Sequence, residues 1–449
     1  MPEIVTLLHS FAPYLQATTL RQLGRVITAL LTMSGRVTML GIARWTETGG
    51  SYRTIQRLYN TVLPWALLHW VFFKAELYKP DDGYILVGDE CVVPKSGQHT
   101  HGLDRFFSSL YSQPIPGVAF FALSVVNTRE RRSYPVQVEQ MRGAEWGTAA
   151  ATQSQPKTPE KSTEKRPVGR PKGSSNKDKT QVTLPPELQV IQNMVRKQRL
   201  IFNGAVSPAY LVLDGHFGNN NALQMTLQCG IDLISKLRCD SALYFVYDGP
   251  QKKNGPRRKY GTQINYEHIP ERYRQASEEE DGIRTDYYQA TLVSKSVAQP
   301  LNVVIIVKTR LKTGAQAHVI LFSSDLNLSY EKLVDYYRLR FQIEFNFRDA
   351  KQYWGLDDFM NVSEIPVTNA ANLALFMVNI AQRLLADFRQ HHPAAGVLDL
   401  KAFFRGRKYV AATLELLPEK PEPILLEHIY DQITVLGSIH RSNRACASP

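Results

Sequence analysis

From Ser329 to Trp354 the sequence reads as one long helix whose polar groups fall on two opposite stripes. The first stripe, Glu331, Lys332, Asp335, Gln342, Asn346 and Asp349, can face solvent. The second holds Tyr337, Arg340, Glu344, Arg348 and Lys351. Phe341 and Phe345 flank it on one side, Ile343, Phe347 and Trp354 on the other, so these charges are expected to point inward. Inward charges cost on the order of a few kcal/mol each unless they are paired, hydrogen-bonded or bound to a metal. An ion pair between Arg340 and Glu344 at i, i+4 would explain them structurally. The chemical explanation is the wall of a catalytic site. Two upstream carboxylates end short apolar runs of the buried-strand type, Asp89 after Tyr84–Gly88 and Asp214 after Tyr210–Leu213. Taken alone, each could be only a turn former or helix cap. Glu90 and Asp104 are alternatives to the first, Asp240 and Asp248 to the second, but none so clearly ends an apolar run.

The spacing Tyr337-x2-Arg340-x3-Glu344-x6-Lys351 resembles, without gaps, the Tyr-Arg-Glu-Lys signature of DDE transposases from bacterial insertion sequences. Asp89 followed by Asp214 keeps the carboxylate order of that family, and Asp89–Gly97 resembles its first-aspartate segment through Lys95 and Gly97. The resemblance covers roughly residues 80–360. It implies an α/β, ribonuclease-H-like core in which Asp89 and Asp214 are sheet neighbours and Glu344 arrives from a packed helix. These three would be the catalytic residues and metal ligands, holding two Mg²⁺ ions for which Mn²⁺ can substitute. Such ions, about 3.5–4 Å apart, activate the attacking oxygen and stabilise the leaving one. The resemblance assigns DNA phosphates to Tyr337, Arg340 and Lys351, with Arg348 and Lys95 in the same DNA-contacting set.

The elements that must position these residues follow from hydrophobic periodicity. Residues 1–78 read as an all-α DNA-binding domain. Within it Met39–Trp45, the turn-prone Glu47–Gly50 and Ser51–Val62 suit a helix-turn-helix that presents Arg53, Gln56 and Arg57. The catalytic core is expected in three parts, 79–149, 183–238 and 300–362. Between the first two, residues 150–182 carry eight Lys or Arg against three acids and read as a basic, disordered linker. Its Lys165–Gly173 resembles an AT-hook, with Arg166, Arg170 and Lys172 directed to the minor groove. Residues 239–299 read as a β-rich insertion in which Lys252, Lys253, Arg257, Arg258 and Lys259 lie among Tyr244, Phe245, Tyr247 and Tyr260, suited to phosphate contact and base stacking. Related transposases hold a flipped base with a Trp there; this insertion has none. A helical C-terminal region, 363–449, has its clearest helix at Thr368–Arg389 and then a poorly patterned tail.

Composition sets the frame. The chain has 449 residues, and 53 Lys and Arg against 41 Asp and Glu leave a formal charge of +12, which favours a polyanionic partner. A hydrophobic content of 43% excludes a wholly disordered or collagenous chain. Four scattered cysteines form no zinc pattern, and no apolar run reaches the ~18 residues of a spanning helix. A cytoplasmic, nucleoid-associated bacterial protein is expected, with no membrane partner. Its partners would be double-stranded DNA, as terminal inverted repeats and target, and a second copy of itself on paired ends. A transposase-derived repressor without catalysis and a nuclease that cuts but never joins are the competing readings.

Overall fold

The computed structural model describes residues 4–46, 49–108, 112–142, 178–251, 253–419 and 421–440. The AT-hook-like residues Arg166, Arg170 and Lys172, and Lys252 of the insertion, lie outside these spans.

Among the described residues of 4–76 the regular elements are all helical: α1 (Ile4–Leu7), α2 (Ala17–Thr32), α3 (Met39–Trp45), α4 (Tyr52–Tyr59) and α5 (Trp65–Glu76), with a short 3₁₀ turn at His9–Phe11. Thr38 and Ser51 cap α3 and α4 by accepting from the backbone N–H groups of Gly41 and Thr54. Ile55, Leu58 and Tyr59 bury one face of α4, which leaves Arg53, Gln56 and Arg57 exposed on the other. The last helix differs. Trp65, Leu68, His69, Trp70, Phe72 and Phe73 make α5 apolar all round, so it must be enclosed, and it packs on the sheet.

A mixed sheet follows, built from β1 (Tyr84–Pro94), β2 (Asp104–Ser108), β3 (Gln113–Asn127), β4 (Arg132–Met141), β5 (Tyr210–Val212) and β6 (Asp232–Leu237). Helix α6 (Pro186–Phe202) precedes β5, and α7 (Asn220–Gln228) connects β5 to β6. β4 pairs with β3 and β3 with β1, both antiparallel, while β5 lies parallel to β1 and to β6. The strands of 239–299, β7 (Leu243–Val246), β8 (Tyr260–Gln263), β9 (Arg274–Glu280) and β10 (Ile283–Ser294), build no separate sheet. They join β11 (Leu301–Arg310) and β12 (Gln316–Ser323), and β12 pairs antiparallel with β6, so all six extend the β6 edge.

The expected single helix 329–353 is two helices, α8 (Tyr330–Leu339) and α9 (Gln342–Trp354). At the joint, Arg340, Phe341, Ile343 and Glu344 donate to carbonyls three residues back, a tightened turn with no Gly or Pro to announce it. The tail is also better ordered than its pattern suggests. After α10 (Glu364–Phe388) come α11 (Val397–Glu415) and α12 (Pro423–Thr434). Eighteen of the 25 residues of α10 are buried, and its asparagines fasten the layers together. Asn369 donates to the carbonyls of Tyr59 and Thr61 and accepts from Trp65 Nε1, while Asn379 donates to Pro135 O on β4. The helices of 4–76, the sheet face carrying Val87 and Val212, and α8 to α11 therefore share one apolar core.

Candidate active site

Parallel pairing sets Leu86 against Leu211 and Val87 against Val212. Asp214 stands two residues beyond Val212, just past the end of β5, close enough for its charge to act on Asp89, and Asp89, two residues beyond Val87 in β1, is on the same side of the sheet as Val87. That side is the one covered by α9, whose Ile343, Phe347, Ala350 and Trp354 share a core with Val87 and Val212. Asp89 does not end its strand, because β1 runs on to Pro94. Gly88 permits the crowding beside it: a Cβ there would lie 2.6 Å from Phe121 Cζ and 2.9 Å from Leu213 Cδ2. Asp214 follows β5 and caps the next turn, its Oδ1 accepting from His216 N at 3.0 Å and its carbonyl from Ser235 Oγ at 2.6 Å.

Arg340 closes the third side. Its Nη1 pairs with Asp89 Oδ2 and its Nη2 lies 3.6 Å from Glu344 Oε1, so one guanidinium bridges two of the three carboxylates. Asp89 and Arg340 are largely buried, while the Glu344 side chain is 43% exposed and opens toward solvent. Burial pushes the Asp89 carboxyl up to about 6; Arg340 and the Glu90 N–H oppose the rise, and the charges of Asp214 and Glu344 add to it. Tyr337 is raised by burial, and its ring centroid lies 6.0 Å from the Arg340 guanidinium carbon. No three His, Cys, Asp or Glu side chains among the described residues gather closely enough to form a ready metal cage. Arg340 supplies the positive charge between Asp89 and Glu344 instead.

The helix faces differ from the sequence expectation. Asn346, placed there on the solvent stripe, is 2% exposed and donates to Ser133 Oγ at 2.8 Å and Ser124 Oγ at 3.3 Å. Phe341 and Phe345, expected against the core, are 50% and 37% exposed and meet edge to face beside Glu344. Asn346 lies beside Ile343 and Phe347 on the buried side of α9, where the two serine hydroxyls accept its amide. Arg348 is exposed and paired with Asp349 at 2.8 Å.

The two signature-segment lysines turn inward. Lys351 Nζ donates to Val92 O at 2.7 Å, and Lys95 Nζ donates to Phe359 O at 2.9 Å and Asp357 O at 3.3 Å. Together they clamp the segment after α9 against β1, and Asp358 fastens it to the N-terminal helices by accepting from Val37 N at 2.9 Å. In the insertion, Lys253, Arg257, Arg258 and Lys259 are exposed. The aromatics there are engaged: Phe245 stacks on Tyr273, Tyr244 meets Tyr260, and Arg258 covers Tyr247.

The rival carboxylates stand apart. Asp104, Asp240 and Asp248 are exposed, and Asp240 is paired with Arg238. Glu90 points to the opposite sheet face from Asp89, since successive strand residues alternate. Burial and the charge of Glu187 push its carboxyl up to about 8. Sequence reasoning did not find Glu187 or His216, whose side chains meet at 3.5 Å and help surround Glu90, because no local pattern joins α6 to the turn after β5. A folded pKa of about 8, above the usual glutamate value, means that the folded state holds the proton more tightly. That stability is present below the lower value and lost as pH rises through the upper one. Thermal unfolding between pH 5 and 9 should therefore show a melting temperature falling with pH for the wild type and a flatter slope for Glu90→Gln; equal slopes would contradict it.

A family model described as DDE superfamily endonuclease matches residues 10–300, a span that contains Asp89 and Asp214 and ends before Glu344. No curated protein matches the chain.

Proposed function

The chain belongs to the DDE superfamily endonuclease family, and on that premise we propose that it is a cut-and-paste transposase of a bacterial insertion sequence with the Tyr-Arg-Glu-Lys signature. It would bind the terminal inverted repeats of its element, cleave there, and join the released 3′-OH ends to target DNA as a homodimer in the cytoplasm. Family membership implies a DNA substrate, and DDE superfamily nucleases generally use divalent metals. Among the described residues no helix is long and apolar enough to cross a membrane. The observation that carries the proposal is that Asp89 in β1 and Asp214, just past the parallel neighbour β5, come together beside Arg340, which pairs with both Asp89 and Glu344. The order β4-β3-β1-β5-β6, antiparallel in its first half and parallel in its second, supports a ribonuclease-H-like core.

The residues fit a hard divalent ion in donor type. Three carboxylates from three elements supply oxygen donors, and Arg340 pairs with two of them, Asp89 and Glu344. Asp89, Asp214 and Glu344 would hold Mg²⁺, which when bound activates the attacking oxygen and stabilises the leaving one. The chain's own side chains do the rest. Arg340 and Tyr337 would take the scissile phosphate, Arg340 exchanging its carboxylate partners for phosphate oxygens, a planar fork suited to both. Lys351 and Lys95 keep β1 and α9 in register through the carbonyls they clamp. Arg53 and Arg57, on the open face of α4, would contact the repeat. The basic residues of the insertion and of the linker, in positions set by the sequence reading, would bind phosphates.

The test is an assay with a linear duplex carrying the inverted repeats that flank the gene, a supercoiled target plasmid and Mg²⁺. The expected product is repeat ends cut at their terminus and covalently joined to the plasmid. Cutting without joining would favour the nuclease reading, and tight binding without cutting the repressor reading.

A further inference from the structure

An open groove of about 610 Å³ lies between the N-terminal helices and the C-terminal pair α11 and α12. Its floor is apolar, with Leu8, Leu20, Gly24 and Ala29, and its lining includes Trp45, Phe404 and Tyr430. Arg21, Arg25, Arg407 and Lys408 supply the only charges among its lining residues, and none of those residues is acidic. Arg407 leans over the rings of Phe403 and Tyr430 at 5.8 and 5.7 Å from their centroids. A groove with an apolar floor and a cationic rim suits an occupant that is apolar at its centre and acidic around it.

Such a surface stands on the same helix pair. At the corner between α11 and α12, Leu416 is 84% and Ile424 82% exposed, with Leu417 and Leu425 beside them in sequence. Of the 12 residues of α12 only Thr434 is buried. Around this apolar corner Glu415, Glu419, Glu422 and Glu427 are all exposed. An exposed apolar cluster of this kind, rimmed by charge, suits a contact surface. The corner lies about 12 Å along α11 from Lys408, eight residues at ~1.5 Å each.

We infer that the acid-rimmed corner of one copy docks into the cation-rimmed groove of a second copy, and that the second copy returns the same contact. A two-fold axis makes each contact twice, and the short spacing between groove and corner lets both flank that axis. An acidic partner protein would use only the groove and leave the apolar corner uncovered; DNA would meet an apolar floor that it cannot use. A second copy satisfies both surfaces. The inference deepens the reading of a dimer on paired ends, yet its test contains no DNA and so stands or falls apart from the assay of cutting and joining.

Full-length protein is measured by analytical ultracentrifugation, with thermal melts to confirm folding. Wild type should be a dimer. Arg21→Glu with Arg407→Glu in one variant, and Glu419→Lys with Glu422→Lys in another, should each weaken dimerisation by at least about tenfold, because like charges then face each other. An equimolar mixture of the two should recover dimers to within roughly threefold of wild type, since reversed groove meets reversed corner and native meets native. Recovery on mixing is a result that damaged folding cannot produce. A monomeric wild type, variants that still dimerise, or a mixture that stays monomeric would each overturn the inference. If the wild type is monomeric and the groove variant instead loses affinity for random duplex DNA, the groove is a DNA surface.

Discussion

Replacing Glu344 by Gln should abolish cleavage of a terminal-repeat duplex, by roughly a thousandfold or more, the scale of several kcal/mol of lost charge stabilisation at a metal-assisted phosphoryl centre. Binding of the same duplex should stay within about threefold, because Arg53, Arg57 and the linker are untouched and one fewer negative charge faces the phosphates. The substitution suits the fold. The Glu344 side chain is 43% exposed, and Arg340 keeps its contact with Asp89 when Glu344 loses its charge. Asp89→Asn and Asp214→Asn should match it in activity. The measurement is product formed per enzyme in Mg²⁺ on a labelled duplex, with gel shift for binding. Retention of more than about a tenth of wild-type cleavage by Glu344→Gln would remove it from the site.

The second large effect concerns Arg340. It is 16% exposed and joins Asp89, itself 18% exposed, so its removal leaves a buried carboxylate without a counter-charge. Losing one partner of a buried pair costs on the order of 3 kcal/mol, and Arg340→Ala should lower the stability to urea by about that amount at neutral pH. Adding Asp89→Asn to Arg340→Ala should recover part of the loss, because the orphaned charge is then gone. A double variant whose loss equals or exceeds the sum of the two single losses would show that the pair is not coupled as the geometry requires. The same Arg340→Ala protein should also cleave poorly even when folded, as the phosphate loses a two-pronged donor. Lys at this position should restore more of the stability than of the cleavage, since an ammonium supplies the charge without the fork.

The candidate site was legible from short-range pattern. The spacing of Tyr337, Arg340, Glu344 and Lys351 is a local property, and so is an aspartate that follows a run of strand residues, as Asp89 and Asp214 do. The periodicity also located α3 and α4 within a few residues, because each carries its own apolar face. The amphipathic pattern of α4 alone was enough to predict that Arg53 and Arg57 would be exposed.

Only the tertiary structure decided how those pieces meet. Nothing in the residues 339–342 breaks a helix, yet the chain tightens there; and of the stripe read as facing solvent Asn346 alone is buried, against Ser124 and Ser133, while Phe341 is exposed. The approach of Asp214 to Asp89 depends on a pairing across more than a hundred residues, which no window along the chain contains. Lys95 and Lys351, which the resemblance assigned to DNA, instead donate to carbonyls of β1 and of the segment after α9, groups that need donors where the chain is partly covered. Residue types and spacings determined what the site could do. Long-range packing, which alone settles which face of each element is covered, decided where its charges stand.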